Sequence, residues 1–561
     1  MVLPAVLPKV SAQWLFTFYR AARKLRRQAI QLYYRNAAAN KPSPPSAASQ
    51  PHGHAATAKN AAAATTLFDA AAAAAADGTV VCDMHGALLR SAALFPYFML
   101  VAFEGGSLLR AALLLCMYPL VWALGDRRGV QVMAFVAFAG LRPRDADLVA
   151  RAVLPKHYME QLHAAVYERL WLPSRRKVAV TAAPRAMSEW FLKEYMAADA
   201  VVGPDLQVVT VGRRRYFTGL LLTTEEETEM RKNVLKEAEA DVGVVSNANP
   251  ADQFFLPYCK GRRHVILPCC TSTREVYVVS RESTRSAKLP RDKYPKPLIF
   301  HDGRLAFLPT PAAMLAFFLF LPLGVILSVI RINIGIVLPY KMNFAAAALF
   351  GLRFRASGMR APPASGEQRR GVLYVCTHRT LVDPIMITSA LQRPVPALTY
   401  SLSRLSELIA PIKTVRLTRD RARDAETMSR LLKQGDLAVC PEGTTCREPY
   451  LLRFSPLFAE LADDMEPVAL DAQVTSLYGT TASGHKWLDP VAFFANPAPS
   501  YRVEFLGAVP REWTRAGGRT GVEIANWVQR RLGEALGFEC TGLNRRDKYM
   551  MLAGNDGVVA K

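Results

Sequence analysis

The chain is short of acidic residues, and its cysteines follow no metal-binding or disulfide pattern. Asp and Glu number 47 against 70 Lys and Arg, which gives a formal net charge of +23. The nine cysteines are scattered, with no CxxC pair and one adjacent pair, Cys269 and Cys270. Because this spacing suggests neither a zinc site nor a disulfide framework, we expect reduced thiols facing the cytosol and no bound metal.

Nucleic acid is the least favoured of the anionic partners that this charge could attract. The chain has no zinc-finger spacing, RNA-recognition signature or basic zipper, and its basic residues form no single patch. An acidic membrane surface or a substrate that carries phosphate groups suits the charge better. At 561 residues, of which 51% are apolar, the chain is long enough for two to four domains with large cores.

Acidic residues are missing altogether from the first 68 positions. Within them, residues 1–35 are predicted to form a basic amphipathic segment, because Gln13–Arg35 interleaves aromatic and apolar residues with basic ones. A membrane-surface anchor, a mitochondrial-type presequence and a solvated leader without a role all fit this pattern. Residues 36–78 are rich in Ala, Pro and Ser, which indicates a linker.

Charged residues are missing from Leu305–Ile330, an apolar run long enough to cross a bilayer. We therefore predict a membrane-embedded segment over residues 305–340. Pro311 and Pro322 interrupt helical hydrogen bonding, so a kinked or re-entrant segment and a buried core helix are alternatives. Residues 92–124 are also very apolar, which fits either a helical hairpin dipping into a membrane or a buried cap.

Two α/β domains are predicted on either side of this segment, over residues 79–290 and 341–561. In the second domain, short apolar strands alternate with helix-like runs such as Asp424–Lys433, and the polar motifs follow the strands. Such folds place their sites at strand ends. The runs that indicate buried strands are Thr79–Cys82, Lys177–Thr181, Gly371–Cys376 and Asp436–Cys440.

His378 and Asp383 follow the strand that ends at Cys376, in the spacing HxxxxD. A hydroxyl that attacks a thioester must lose its proton, and a histidine base is typically worth about 10² to 10⁴ in rate. Asp383 would orient that base. The spacing does not align the two residues on an ideal helix, so a loop or a helix start must bring them together. By itself the HxxxxD pattern is a weak signal.

Three further blocks follow in order. Lys413–Arg421 is a basic run that contains Arg416 and Arg419, and arginine can grip a phosphate with two hydrogen bonds. Pro441–Thr444 then places a tight turn and a hydroxyl directly after a strand. Pro467 lies at the start of a last apolar strand.

The order and spacing of these four blocks resemble the glycerolipid acyltransferase family, and the combination is highly specific. The phrases Phe95–Gly106, Tyr294–Arg304 and Arg545–Tyr549 resemble the land-plant glycerol-3-phosphate sn-2-acyltransferases within that family. The resemblance implies His378 as general base and Asp383 as its orienting partner. It also implies further roles: a phosphate ligand for Arg419 and Arg416, the acceptor pocket for Glu442, Gly443 and Thr444, and the end of the acyl-CoA site for Pro467.

The first domain resembles the haloacid-dehalogenase-like phosphatase module that precedes the acyltransferase in these plant enzymes. That module opens with DxDxT, whose first Asp attacks phosphorus and whose second protonates the leaving oxygen. Here Asp83 is present, but His85 and Ala87 replace the second Asp and the Thr. Thr181 still matches the second motif, whereas the late Gly-Asp pair for Mg²⁺ is lost and Asp252 alone lies nearby. We therefore expect a phosphatase-inactive domain that serves as a scaffold or closes over substrate.

The resemblance implies an enzyme that acylates glycerol-3-phosphate from acyl-CoA at a membrane and releases lysophosphatidic acid, with the sn-2 isomer expected. No cofactor is expected for acyl transfer, and Mg²⁺ only if the first domain is active. The alternatives are acylation of lysophosphatidic acid, a phosphatase-bearing enzyme that releases 2-monoacylglycerol, and a non-catalytic scaffold. The endoplasmic reticulum membrane is the expected location, with a mitochondrial membrane as the alternative, and the expected role is synthesis of extracellular polyesters such as cutin, suberin or pollen coat.

Overall fold

The computed structural model describes most of the chain beyond the N-terminal region. The described residues are 71–73, 75–222, 225–246, 264–267, 270–273, 276–279, 288–359, 371–399, 407, 410–418, 420–482 and 485–555. The predicted basic segment 1–35, almost all of the linker 36–78, Arg419 and Asp252 lie outside these residues.

A five-stranded parallel sheet forms the centre of the first domain, in the order β3-β2-β1-β6-β9. Its buried strands are rich in valine, as expected for a parallel sheet covered on both faces. The antiparallel pairs β4-β5 and β7-β8 lie outside this sheet. The strands are β1 Thr79–Asp83, β2 Arg176–Val180, β3 Ala200–Val202, β4 Leu206–Val211, β5 Arg214–Leu221, β6 Val242–Ser246, β7 His264–Leu267, β8 Cys270–Thr273 and β9 Val276–Val279.

Helices cover this sheet, and two of them form a bent apolar pair. The pair is Leu108–Cys116 and Tyr118–Phe138, which meet at 76°. It is partly packed on the core and partly exposed, with Leu109 and Trp122 at 84% and 78% exposure. The apolar run 92–124 thus contributes to a bent helix pair that extends to Phe138, and the hairpin and the buried cap stay alternatives. The helices are α1 Phe95–Leu100, α2 Leu108–Cys116, α3 Tyr118–Phe138, α4 Pro143–Ala152, α5 Leu154–Met159, α6 Ala164–Val166, α7 Arg185–Glu194 and α8 Glu225–Ala238.

The predicted membrane segment is a continuous helix, α9, over Pro311–Val337, followed by α10 over Tyr340–Leu349. Thr310 caps α9, and Pro322 lies inside it. By length and composition, α9 is the one described helix that could cross a membrane alone, and the bent pair would be a second span if counted as one. One stripe of α9 is nevertheless buried against the second domain, where Ser328 donates to the Val491 carbonyl at 3.0 Å.

A seven-stranded mixed sheet forms the second domain, in the order β10-β17-β16-β11-β14-β12-β13. Strand β11 is central and runs parallel to β14 and β16, whereas β16 and β17 are antiparallel. A short parallel pair, β15-β18, stands apart. The strands are β10 Arg353–Ser357, β11 Leu373–Cys376, β12 Ala397–Thr399, β13 Thr414–Arg416, β14 Leu437–Val439, β15 Tyr450–Leu451, β16 Met465–Gln473, β17 Ser500–Phe505 and β18 Glu539–Cys540.

The helices of the second domain begin where polar motifs end. They are α11 Asp383–Leu391, α12 Arg421–Leu432, α13 Leu488–Phe494, α14 Gly521–Leu536 and α15 Arg545–Ala553. The α/β class is confirmed in both domains, and each strand that we predicted is present to within two residues at either end. Helix α12 begins three residues before the predicted Asp424, because Asp420 caps its first turn.

Candidate active site

His378 and Asp383 are brought together at the carboxyl end of the central strand β11. Asp383 is the first residue of α11, and His378 lies in the loop that precedes this helix. The Nδ1 atom of His378 and Oδ2 of Asp383 are 2.9 Å apart. The predicted pairing of base and carboxylate is therefore present, and a loop and helix start supply it.

The carboxylate of Asp383 is fully buried and held by several donors. Its Oδ2 also accepts from the Arg379 backbone N–H at 2.6 Å, while Oδ1 accepts from the Thr380 backbone N–H and hydroxyl at 2.9 and 2.7 Å. The buried Tyr501 hydroxyl donates to the same Oδ1. These bonds fix the carboxylate, which in turn fixes the plane and tautomer of the imidazole.

The pKa of His378 is set by opposing effects. Burial lowers it, but the neighbouring Cys440 and the hydrogen bond and charge of Asp383 outweigh burial and hold the pKa well above its usual value of 6.5. The hydrogen bond to Cys376 and burial keep the pKa of the Cys440 thiol far above its own usual range. Cys440 is thus a neutral thiol near pH 7, and its hydrogen bond raises the pKa of His378, as the hydrogen bond of Asp383 does.

The Pro441–Thr444 turn follows β14, which lies beside β11, so it meets His378 at the same edge of the sheet. Glu442 points away from the open site. Its carboxylate accepts from the His378 and Leu452 backbone N–H groups at 2.8 and 3.0 Å, and burial raises its pKa to about 7 despite these bonds. Gly443 adopts φ of +68°, a conformation that favours glycine.

A cavity of about 650 Å³ opens beside His378. Gly443 and Thr444, which we expected in the acceptor pocket, line the cavity. Glu442 does not line it and instead accepts a hydrogen bond from the His378 backbone N–H. The volume of the cavity is in the usual range for a small-molecule site. The apolar part of the lining comes from α9, the start of α11, β12 and α13: Ile332, Ile336, Leu381, Ile385, Leu398 and Phe494.

Two predicted binding residues are placed away from this cavity. Arg416 is about half exposed and forms an ion pair with Glu407, with Nη2 and Oε1 at 2.8 Å. Pro467 lies inside β16, where it pairs with Val375 of the central strand, so it is part of the sheet. Neither residue lines the cavity. Arg416 lies on β13, the edge strand of the sheet, and Pro467 lies on the buried strand β16. These positions keep both residues away from the cavity.

Three side chains of the site could also hold a metal ion by geometry. Ligand atoms of His378, Asp383 and Cys440 lie within 4.8 Å of one another. Both oxygens of Asp383 already accept hydrogen bonds from backbone or hydroxyl groups, as described above. The other atoms of the trio are also engaged, since His378 Nδ1 contacts Asp383 at 2.9 Å and the Cys440 thiol contacts the Cys376 thiol at 3.3 Å.

Tyr501 is a site residue that the sequence motifs did not reveal. It lies 118 positions from Asp383 on β17, two strands away from β11. Lys486, Arg545 and Tyr549 also line the cavity, although only the phrase Arg545–Tyr549 carried any signal in the sequence. Their position depends on long-range packing that no local pattern records.

In the first domain, the residues at the positions of the expected phosphatase motifs are buried. Asp83 ends β1, and Ala87 and Thr181 are buried nearby in the fold. His85 is 2% exposed and lies among Tyr97 and Tyr158, with ring centroids at 5.6 and 6.3 Å. Burial lowers its pKa to about 3, and in the described part of the chain neither of its ring nitrogens has a hydrogen-bond partner.

Two family models match parts of the two domains. A family model described as "Glycerol-3-phosphate acyltransferase RAM2-like, HAD-like domain" matches residues 79–265, and one described as "Acyltransferase" matches residues 357–476. Among solved structures, a 1-acyl-sn-glycerophosphate (LPA) acyltransferase from Thermotoga maritima aligns with 40% of this chain and 97% of its own, at 13% identity and a TM-score of 0.28.

Curated plant proteins are far more similar. Glycerol-3-phosphate acyltransferase 1 of Arabidopsis thaliana is 48% identical over 86% of this chain and 82% of its own length. Probable glycerol-3-phosphate acyltransferase 2 of the same plant is 42% identical over 86% and 90%. Glycerol-3-phosphate acyltransferase RAM2 of Petunia hybrida is 41% identical over 85% and 97%. Because these plant relatives are 41–48% identical to it over 85–86% of its length, the chain belongs to the plant RAM2-like family of glycerol-3-phosphate acyltransferases.

Proposed function

We propose that the chain transfers an acyl group from acyl-CoA to a hydroxyl of glycerol-3-phosphate and releases lysophosphatidic acid. The observation that carries the proposal is the position of His378. Its imidazole, oriented by Asp383, opens onto a cavity with an apolar wall and a polar end. The apolar wall suits an acyl chain, and the polar end suits an acceptor that carries a phosphate group. The plant relatives are named glycerol-3-phosphate acyltransferases, which is the same activity.

The reaction needs one proton to move twice. With Nδ1–H bonded to Asp383, His378 presents the lone pair of Nε2 and accepts the proton of the acceptor hydroxyl. The hydroxyl oxygen attacks the thioester carbonyl carbon, the C–S bond breaks, and the CoA thiolate takes the proton from the imidazolium. The products are the ester and CoA–SH. Since thiolate leaves readily, we propose that acyl transfer requires neither a metal nor a cofactor.

We further propose that the first domain does not hydrolyse the phosphate. His85 stands where a phosphatase has its acid/base carboxylate. With a pKa of about 3 the ring is neutral near pH 7 and has no readily lost proton to give to a leaving oxygen. The product then stays lysophosphatidic acid, with the acyl group at sn-2 as the family resemblance implies. Asp83 would need Mg²⁺ for phosphatase chemistry, and Mg²⁺-dependent phosphate release would contradict this proposal.

Membrane association is part of the proposal because α2, α3, α9 and α10 each carry exposed large apolar side chains. Leu319 and Val337 of α9 are 74% and 71% exposed, and Leu349 of α10 is 87% exposed. An exposed apolar surface of this extent suits lipid. We propose that α9 stays packed on the second domain while its outer face contacts the bilayer. We also propose an endoplasmic reticulum membrane, with a mitochondrial one as alternative, and a role in cutin, suberin or pollen-coat synthesis.

The test uses microsomes that express the full chain, fed with labelled glycerol-3-phosphate and a panel of acyl-CoAs. Label should appear in lysophosphatidic acid with the native chain and disappear with His378→Ala, while expression is unchanged. A chelator should leave the rate unchanged. Near-normal turnover by His378→Ala would refute the assignment of the base.

Two other outcomes would redirect the proposal. Label in monoacylglycerol that is lost in Asp83→Asn would show an active first domain. Consumption of added lysophosphatidic acid, with no product from glycerol-3-phosphate, would identify the second acylation step instead.

A further inference from the structure

Cationic side chains from three separate parts of the chain line the cavity. Lys486 precedes α13, Arg545 begins α15, and Arg144 belongs to α4 of the first domain. Tyr549 of α15 lines the same region. The acyltransferase cavity is therefore closed on one side by the first domain, through Arg144 and Leu148.

The position of α15 is fixed by specific contacts. Asn544 caps the helix by accepting from the backbone N–H groups of Arg546 and Asp547. The buried Lys548 donates to the carbonyl of Thr445, one residue beyond the Pro441–Thr444 turn. Leu552 packs in one apolar cluster with Ala152, the last residue of α4. Arg545 and Tyr549 thus belong to a helix that contacts both the first domain and the catalytic loop.

The electrostatic field around α15 is positive near Tyr549. The Arg545 guanidinium lies 5.3 Å from the centre of the Tyr549 ring. Burial raises the pKa of Tyr549, but Lys486, Lys548, a hydrogen bond with Thr444 and Arg545 reverse this and lower it. The nearby Asp489 carboxylate already pairs with Arg304 at 2.6 Å.

We propose that Lys486, Arg545 and Tyr549, assisted by Arg144, form a binding site for a phosphate monoester at the polar end of the cavity. Lys and Arg donate charge-assisted hydrogen bonds to phosphate oxygens, and a phenol adds a neutral donor. Thr444 connects this group to the loop beside His378, so a small phosphorylated alcohol bound here has its hydroxyl near the base. The inference rests on the proposed function and names the residues that select its substrate.

The phosphate could come from either substrate. Glycerol-3-phosphate carries one, and so does the 3′ position of the adenosine in CoA. Arg416, by contrast, stays engaged with Glu407 outside the cavity. The site also gives the first domain a use without phosphatase chemistry, because Arg144 is supplied by that domain.

The experiment compares Lys486→Ala, Arg545→Ala and Arg144→Ala in the full-length enzyme, with KM for glycerol-3-phosphate and for acyl-CoA measured separately. Arg546→Ala and Arg142→Ala are the matched controls, since each lies close to a tested arginine and does not line the cavity. We expect KM for one substrate to rise about tenfold or more for Lys486→Ala and Arg545→Ala, and less for the exposed Arg144. Arg545→Lys should recover part of the loss.

The substrate whose KM changes identifies the source of the phosphate. A rise for glycerol-3-phosphate alone places the acceptor phosphate at this site. A rise for acyl-CoA alone, which disappears when the donor is the acyl ester of 3′-dephospho-CoA, places the CoA phosphate there. Unchanged KM values, an isolated fall in kcat, or equal effects in Arg546→Ala would overturn the site.

A binding measurement separates this inference from the proposed function. Glycerol-3-phosphate and 3′-phosphoadenosine should each be tested for their ability to raise the melting temperature of the purified enzyme, with and without Arg545→Ala. If the native enzyme turned over no glycerol-3-phosphate, yet one probe stabilised it in an Arg545-dependent way, the site would stand and the proposed function would fail. If the native enzyme turned over glycerol-3-phosphate but neither probe bound in an Arg545-dependent way, the proposed function would stand and the site would fail.

Discussion

At the residue scale, the Asp383 carboxylate is shared between structure and chemistry. Oδ1 accepts from Thr380 and Tyr501, and Oδ2 divides between the Arg379 N–H and the imidazole of His378. The carboxylate is therefore held in one orientation, and its contact with the imidazole raises the pKa of His378. The consequence is a base whose proton is held more tightly than in free histidine.

This electrostatic arrangement predicts the pH dependence of acyl transfer. His378 must be neutral to accept a proton, and its pKa lies well above 6.5. Activity should therefore rise with pH through a midpoint above 6.5, since protonation at lower pH removes the base. The measurement is kcat against pH at saturating substrates, which reports groups in the bound complex. Saturation also avoids confusion with the second ionisation of the substrate phosphate, near pH about 6.

The control is enzyme held at each pH and then assayed at one common pH, which separates titration from irreversible loss. A midpoint below 6.5 in the stable range would contradict the role given to Asp383. Such a result would mean that burial, which lowers the pKa of His378, dominates in the bound complex.

At the scale of elements, α9 combines an apolar outer face with a close contact to the second domain. Gly324 faces the backbone where α13 ends, and a Cβ built there would lie 2.8 Å from the Ala495 carbonyl oxygen. Arg331 lies about two turns further along the same side of α9. It donates to the carbonyls of Phe350, Phe494, Asn496 and Pro497. A helix with such contacts is anchored to the enzyme along one side.

Two glycines in α9 provide a matched test of this anchoring. Gly324→Ala should destabilise the protein by about 1–3 kcal/mol, because the new methyl group overlaps backbone that cannot move away cheaply. Gly335→Ala should be neutral or slightly stabilising, since nothing lies within 4 Å of its Cβ position and alanine is the better helix former by about 1 kcal/mol. The measurement is the thermal unfolding midpoint of both variants in one detergent. Equal midpoints would show that α9 is not packed on the second domain.

The elements also show how far sequence patterns reach. Strands such as β11 and β14 were predictable because parallel central strands are continuous apolar runs, and the dyad follows one of them. The family resemblance pointed to Gly443 and Thr444, and both line the cavity. The positions of Pro467 and Arg416 relative to the cavity could not be predicted. A motif determines neither which face of a strand a side chain lies on nor where the strand lies in the order of the sheet. Tyr501 could not be predicted, because β17 joins the site only through antiparallel pairing with β16.

At the scale of the whole molecule, the segment 288–310 joins the two domains behind the active site. Its Asp302 N–H donates to the Ala152 carbonyl of the first domain at 2.8 Å. On the other side, Arg447 donates to the Gly303 carbonyl at 2.8 Å, and Glu448 accepts from the His301 N–H at 2.8 Å. Arg447 and Glu448 closely follow the Pro441–Thr444 turn. Loss of this connection should therefore disturb the catalytic loop as well as the fit of the domains.

Glu104 offers the sharpest test of that connection. Its Oε1 accepts from the backbone N–H groups of Arg304 and Leu305 at 2.6 and 2.9 Å, which ties the segment to the first domain. Glu104→Ala leaves both donors without this partner and should lower stability by about 1–3 kcal/mol. Glu104→Gln keeps an acceptor oxygen in place and should stay close to the native enzyme. Thermal unfolding and acyl transfer are measured for both variants.

A second contact between the same segment and domain supplies the comparison. Lys293 and Glu168 form an ion pair at 2.8 Å, with side chains 55% and 34% exposed. An exposed pair contributes about 0–1 kcal/mol, so Glu168→Ala should change little. If it were as damaging as Glu104→Ala, any loss of carboxylate along the segment would matter, and the buried backbone contact would have no special role. Loss of activity in Glu104→Ala with recovery in Glu104→Gln would instead show that the first domain keeps the catalytic loop in place through one side chain.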